Sequence, residues 1–319
     1  MDATPRHVLI FGATGTAGQG AVRALLAAGH RVSALVRPGR EDTLPHGVKT
    51  VTGDLSRDSL ARAFDGGPDV VMSCLASRSG RAQDAWAIDH AAHLDILTAA
   101  HTAGVAQFIY LSAICVQKPR LAFQKAKLAF EAALQSSGMT YSIVRPTAFF
   151  KSLSGQVARV QAGRPFLVFG DGCGTACKPI SDDDLGRYLA GCIPDPHRHN
   201  AVLPIGGPGP AITPLDQAAA LSDLLGYQVK VKHVPFAMMG AIAGALGLLG
   251  RVNAAAAAKA ELAAIGQYYA RESMLVWDAQ AQVYDADSTP EFGTETLFAY
   301  YEALIRGDAT VTLGEHSVF

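Results

Sequence analysis

Over its first 150 residues the chain alternates between two hydrophobic periods. Short apolar runs at 7–12, 30–36, 69–75, 108–114 and 141–146 are separated by stretches of helical spacing at 15–28, 84–104 and 121–137. Continuous apolar strands joined by helical crossovers predict a parallel sheet covered on both faces, the doubly wound α/β pattern. Gly29, Gly104 and Gly138 each close a periodic run before a strand, as helix C-terminal glycines do.

Past Pro146 the alternation breaks down. Residues 167–172 and 178–180 read as strand and loop, 182–189 as a short helix, and 194–209 as a breaker-rich connection holding one short strand. A helix over 214–225, a strand over 228–233 and an alanine-rich helix over 253–270 follow. The pattern predicts a nucleotide-binding domain over 1–150, with later segments returning to its sheet, and a smaller substrate-binding subdomain over 151–319. Residues 234–250 carry no charge, yet fall short of the ~20 apolar residues that span a bilayer. They read as a buried or pocket-lining helix, with Met238 and Met239 as adaptable contacts. No transmembrane span is expected; peripheral membrane contact stays open.

Composition narrows the classes. The chain of 319 residues has 27 basic and 28 acidic side chains, 49% hydrophobic and 17% charged residues. A core is well supplied, so disorder is excluded, and the charge balance offers no footprint for nucleic acid. Five scattered cysteines argue against a disulfide framework and favour a reducing, cytoplasmic setting. Cys173 and Cys177 lack a second pair and the histidines lack ligand spacing, so no metal is expected.

The candidate chemistry begins at Gly12-Ala13-Thr14-Gly15-Thr16-Ala17-Gly18. This G-x-x-G-x-x-G loop follows an apolar strand and opens an amphipathic helix, where backbone amides can cradle a pyrophosphate. The second strand ends in Arg37, with Arg40 close behind, where an NAD-binding protein carries an acid. Guanidinium groups there suit the extra phosphate of NADPH. Asp54 and Leu55 follow the third strand. Asp54 fits either the adenine amino group or the start of the next helix. Leu75 and Ala76 end the fourth strand, beside the first, and Pro146 ends the sixth.

The loop, Arg37, Gly53-Asp54-Leu55 and the strand beginning at Phe108 resemble the atypical short-chain dehydrogenase/reductases, in the NmrA-like and isoflavone-reductase-like branch. LAFQKAKLAFE (121–131), TYSIVRPTAFFKSLSGQ (140–156), PFLVFGDG (165–172), ACKPISDDDL (176–185), YYARESMLVWD (268–278) and TPEFGTETL (289–297) resemble the divinyl chlorophyllide a 8-vinyl reductases. These collinear blocks imply NADPH-dependent reduction of the C8 vinyl group of a magnesium tetrapyrrole to ethyl.

In ordinary short-chain dehydrogenases a Ser, a Tyr and a Lys four residues after the Tyr do the work. Ser112 and Lys127 match, but the tyrosine position is Phe123. The departure fits a substrate whose macrocycle absorbs the charge left by hydride addition, so that a strong acid is less needed. Phe123 is then expected to stack on the flat ring, and Lys127 to clamp the nicotinamide ribose and serve as a proton source. Phe149 and Phe150 are candidate substrate contacts, at least one of them also a core residue. Lys151 and Lys178 are candidates for the substrate's propionate. An NmrA-like NADP sensor without turnover, and an isoflavone-reductase-like enzyme on another aromatic substrate, are the competing readings.

Overall fold

The computed structural model describes residues 4–78, 81–238 and 254–310. Seven parallel strands form the main sheet: β1 (His7–Phe11), β2 (Arg31–Val36), β3 (Val48–Thr52), β4 (Val70–Ser73), β5 (Gln107–Leu111), β6 (Thr140–Pro146) and β8 (Ala201–Ile205). Their order is β3-β2-β1-β4-β5-β6-β8, so the winding reverses between β1 and β4. That reversal opens a crevice at the carboxyl ends of the strands, where ligands bind in such sheets. β1, β4 and β5 are buried along their whole length, which explains why they are apolar apart from His7, Ser73 and Gln107 at their ends.

The crossovers are α1 (Thr16–Ala27), α2 (Arg57–Phe64), α3 (Ala82–Ala85) leading through a π-helical stretch (Trp86–Ala92) into α4 (His93–Thr102), and α5 (Ala122–Gln135). The helical periodicity over 84–104 did not reveal the π-helical turns, which shift the register of the face presented by Asp89. Gly29, Gly104 and Gly138 adopt positive φ of 78°, 71° and 76° just past their helices. Glycine reaches that conformation at no steric cost.

The chain divides into two compact units. The first holds the residues up to Ser77, Gln83–Pro146 and Asp182–Ile205; the second holds 78–82, Thr147–Ser181 and the residues from Gly206 onward. Between them in sequence order come α6 (Phe150–Leu153), α7 (Val157–Gln161) and β7 (Phe166–Phe169) in the second unit, then α8 (Asp182–Gly191), which returns to the first. α8 crosses α1 at glycines. A Cβ on Gly20 would lie 2.0 Å from the Asp182 carbonyl oxygen, and one on Gly186 2.3 Å from the Gly20 carbonyl carbon. Two backbones approach this closely only where both helices lack a side chain.

In the second unit, β7 pairs in parallel with β9 (Val231–Val234), and β10 (Val276–Asp278) forms an antiparallel hairpin with β11 (Val283–Asp285). The helices α9 (Pro214–Leu225), α10 (Ala254–Tyr269) and α11 (Leu297–Arg306) complete it. Thr213 and Asp216 cap α9 reciprocally, and Gly226 ends it in a left-handed conformation. The core gathers Phe150, Val160, Phe166, Val168, Leu221 and Tyr301. Tyr301 donates its hydroxyl to Leu153 O or Gln217 Oε1, 2.7 and 3.0 Å away. Among the described residues no helix is long and apolar enough to cross a membrane. Met239 and most of the uncharged stretch 234–250 lie outside the described residues.

Candidate active site

Because all seven strands are parallel, the expected site residues that follow β1 to β6 share one edge of the sheet. Gly12 leaves β1 with φ of 76°, and its amide neighbour Gly15 closes a turn by donating to Gly12 O at 3.0 Å. A Cβ on Gly12 would lie 2.6 Å from the Cys74 and Leu75 backbone; one on Gly18 would lie 2.1 Å from Gly12 O. The first glycine thus lets the loop lie against the exit of β4, and the last lets α1 lie against the loop. Gly15 begins α1 with no side-chain cap, and no acid sits in the first turn. The amide end of the helix is left with its partial positive charge uncompensated, a fit for a pyrophosphate.

Around this loop the expected residues fall as follows. Thr14 and Thr16 are half-buried and Ala17 is buried. Arg37 and Arg40 are exposed past the end of β2, in a turn where Arg40 N–H donates to Arg37 O at 3.1 Å. Glu41, the first acid after β2, accepts from the Thr52 hydroxyl at 3.1 Å. Asp54 is engaged by its own turn. The Ser56 hydroxyl, the Ser56 N–H and the Ser59 hydroxyl bond its carboxylate and hold its pKa at about 2. Leu55 and Leu75 pack partly on the core, and Ala76 is exposed. Residues 74–76 lie just beyond β4 rather than within it.

The expected catalytic pair sits on the α5 side of β5. Lys127 is buried, its Nζ 3.3 Å from Asp89 Oδ1, 3.4 Å from the Tyr110 hydroxyl and 3.5 Å from Leu111 O. Burial alone pulls its pKa down, but Tyr110 and Asp89 more than offset this and the net shift is upward. The resulting cation colours its surroundings. His93 is held at about 4 by burial and by the Lys127 charge, and burial pushes the Cys74 thiol up to about 12. Asp89 also accepts from the Ser77 hydroxyl at 2.6 Å. Lys125, two residues before Lys127, is exposed.

Ser112 is buried too, and its hydroxyl donates to Glu131. Glu131 is in turn paired with Arg145 on β6. Phe123 lies half-buried in the first turn of α5, on the same helix as Lys127 and Glu131. Pro146 is buried at the end of β6.

In the second unit Phe150 is the core residue expected of the Phe149–Phe150 pair: it is 5% exposed, its ring centroid 5.7 Å from that of Tyr300. Lys178 is buried and already neutralised, its Nζ 2.5 Å from Glu291 Oε1. Phe149 and Lys151 are half-buried and Met238 is 48% exposed.

Asp89, Tyr110 and Glu131 escaped the sequence reading. Glu131 had one signal, its place four residues after Lys127 on the same helical face. Tyr110 had another, its place two residues before Ser112 on the same face of β5. Asp89 had none, because its placement depends on the π-helical turns.

Residues 12–196 match a family model described as NAD(P)H-binding. The chloroplastic divinyl chlorophyllide a 8-vinyl-reductase of Oryza sativa subsp. indica is 44% identical over 98% of this chain and 82% of that protein. The Cucumis sativus protein of the same name is 45% identical over 98% and 80%. The chain belongs to the divinyl chlorophyllide a 8-vinyl-reductase family. Among solved structures, an NADPH-dependent quinone oxidoreductase from Escherichia coli, complexed with NADPH, superposes with a TM-score of 0.69. It is 20% identical, over 93% of this chain and 99% of that one, and supports the fold alone.

Proposed function

We propose that this protein reduces the 8-vinyl group of divinyl chlorophyllide a, or of its protochlorophyllide counterpart, to ethyl at the expense of NADPH. The observation that carries the reading is 44–45% identity over 98% of the chain to reductases of that name, together with a glycine cradle that fits a dinucleotide. Gly12, Gly15 and Gly18 would hold the pyrophosphate with the amides of Thr14, Thr16 and Ala17. Leu55, Leu75, Ala76 and Pro146 would line the rest of the cofactor's path. NADPH rather than NADH is supported by the two exposed guanidinium groups of Arg37 and Arg40 and by the engagement of Glu41 with Thr52. Asp54, satisfied by its serines, keeps a carboxylate oxygen toward solvent for the adenine amino group.

When bound, NADPH supplies the hydride. The chain's own part is then to fix charge and exclude competing chemistry. Lys127, locked by Asp89 and Tyr110, keeps a positive charge beside the reacting groups. That charge stabilises electron density arriving on the macrocycle. Phe123 offers a flat apolar face to a flat ring. Phe149 and Met238 are further apolar contacts, and Lys151 is a candidate for a propionate. All five cysteines are free thiols, which supports a reducing, cytoplasmic setting for this chain.

The test is direct. Purified protein mixed with NADPH and divinyl chlorophyllide a should shift the Soret band while consuming NADPH in equal amount. Binding of NADPH without a Soret shift would leave a cofactor sensor and overturn the reductase.

A further inference from the structure

Arg145 grips Glu131 through both carboxylate oxygens, its Nε 3.1 Å from Oε1 and its Nη2 in contact with Oε2. A carboxylate paired in this way accepts hydrogen bonds and has none to give. The 2.5 Å bond between Ser112 Oγ and Glu131 Oε1 therefore carries the serine's own proton. Ser112 has one proton, and it points at Glu131. Any other group that meets this hydroxyl meets a lone pair.

The neighbouring positions carry the same bias. Phe123 brings only carbon where a phenol would stand. The three N–H bonds of Lys127 face three acceptors, Asp89, Tyr110 and Leu111 O, within 3.5 Å. Resting on the reductase reading above, we propose that Glu131 is a specificity-determining residue. By taking the Ser112 proton, it removes the donor that a developing oxyanion needs, and so confines the site to conjugated C=C groups and excludes C=O.

The electron count shows why this discriminates. In vinyl reduction, hydride adds to the outer carbon and the π pair passes to the ring-bound carbon and the macrocycle. A solvent-derived proton then completes the ethyl group, and no oxygen becomes charged. With a formyl group in the same place, hydride adds to the carbonyl carbon and the π pair stays on oxygen until a proton reaches it. Beside Ser112 that oxygen would face a lone pair. Replacing Glu131 by Leu keeps most of the volume and removes both acceptor oxygens, including the Oε1 that takes the bonds of Ser112 and of Arg145 Nε, so the serine proton is released for a substrate oxygen.

The probes are divinyl chlorophyllide a and the same macrocycle with formyl in place of the 8-vinyl group. Absorbance titration without cofactor measures binding, and turnover with NADPH measures kcat/KM. Both compounds should bind the native protein with comparable affinity. One oxyanion donor is worth about 10²–10³ in turnover, so the native protein should reduce the formyl compound roughly 100-fold more slowly, and Glu131→Leu should narrow that ratio at least tenfold. A gain of this kind cannot come from misfolding. Comparable turnover of both compounds by the native protein would overturn the proposal whether or not the variant folds. So would failure of the formyl compound to bind, which makes the discrimination steric, or an unchanged ratio in a folded Glu131→Leu. No turnover of divinyl chlorophyllide a by the native protein is a separate failure, which removes the reductase reading and the proposal together.

Discussion

Replacing Asp89 by Asn removes one charge and almost no volume, leaving Lys127 as a buried ammonium without its counter-ion. The pair is 3.3 Å apart, with the lysine side chain 7% exposed and the aspartate 1%. At an effective dielectric of about 20, two unit charges at that distance attract by about 5 kcal/mol. Breaking one side of such a pair commonly costs about 3–5 kcal/mol. The amide oxygen that replaces the carboxylate can still accept from Ser77, so the local fold is kept and the loss is mainly electrostatic.

The pH dependence distinguishes this from an ordinary packing defect. In the native chain the Lys127 pKa lies above its ordinary value, so its contribution to stability is fully present below about pH 10.4 and is lost only as pH rises through the higher folded value. Between pH 7 and 9.5 it adds no slope. Without Asp89 the remaining partner is the Tyr110 hydroxyl, which burial keeps protonated and neutral over this range, so burial, the largest influence on Lys127, prevails and lowers its folded pKa. The unfolded chain then binds more protons than the folded one, and stability rises with pH by up to about 1.4 kcal/mol per unit. Asp89→Asn should therefore lie well below the native protein at pH 7 and approach it towards pH 9.5. Thermal unfolding followed by circular dichroism reads the gap, at about 2–4 °C per kcal/mol for a chain of this size. A gap of the same size at both pH values, or one worth less than about 1 kcal/mol at pH 7, would refute the buried-pair reasoning.

Arg37→Ala should weaken NADPH by about ten- to a hundredfold, the worth of a charge-assisted bond, and leave NADH nearly unchanged; equal losses in a binding titration would count against the phosphate role. Gly20→Ala puts a methyl 2.0 Å from the Asp182 carbonyl oxygen, a backbone atom with no rotamer to escape by. It should lower stability by about 1–3 kcal/mol or more, and a neutral result in denaturant melts would mean the two helices part easily. Phe123→Tyr should not accelerate hydride transfer in stopped flow, since the macrocycle and not a phenol takes up the charge. A large gain would show that a missing acid had been restored.

What could be read in the sequence, and what could not, divides by the range of the interaction. Strands β1, β2, β4, β5 and β6 announce themselves through their apolar runs, because a buried parallel strand is largely apolar, whereas the half-polar, partly exposed β3 carries no such run. The glycine loop is equally local as a pattern of three glycines within seven residues, although the close approach that Gly12 answers comes from the Cys74 and Leu75 backbone, 62 residues on. The return of α8 to the first unit is different. Gly20 and Gly186 are each unremarked glycines in their own helices, and only their meeting gives them a purpose.

The same holds more sharply for charge. Lys127, Arg145 and Lys178 all read as available cations in a linear sequence, where a lysine or arginine defaults to the surface. In the fold each is paired, with Asp89, Glu131 and Glu291. Glu131 and Arg145 are 14 residues apart and Lys178 and Glu291 are 113 apart, on elements that no periodicity connects. Burying a cation without a partner costs too much for these lysines to have been left bare, so a buried lysine predicts that a carboxylate exists but not which one. This is why the departure at Phe123 was visible in the sequence while its counterpart at Ser112 was not. A missing phenol is a change of residue. A hydroxyl whose proton is already spoken for is a change of partner, and the partner is set by how α5 and β6 meet. The two changes point the same way, towards a site with little to offer a charged oxygen and much to offer a flat conjugated ring.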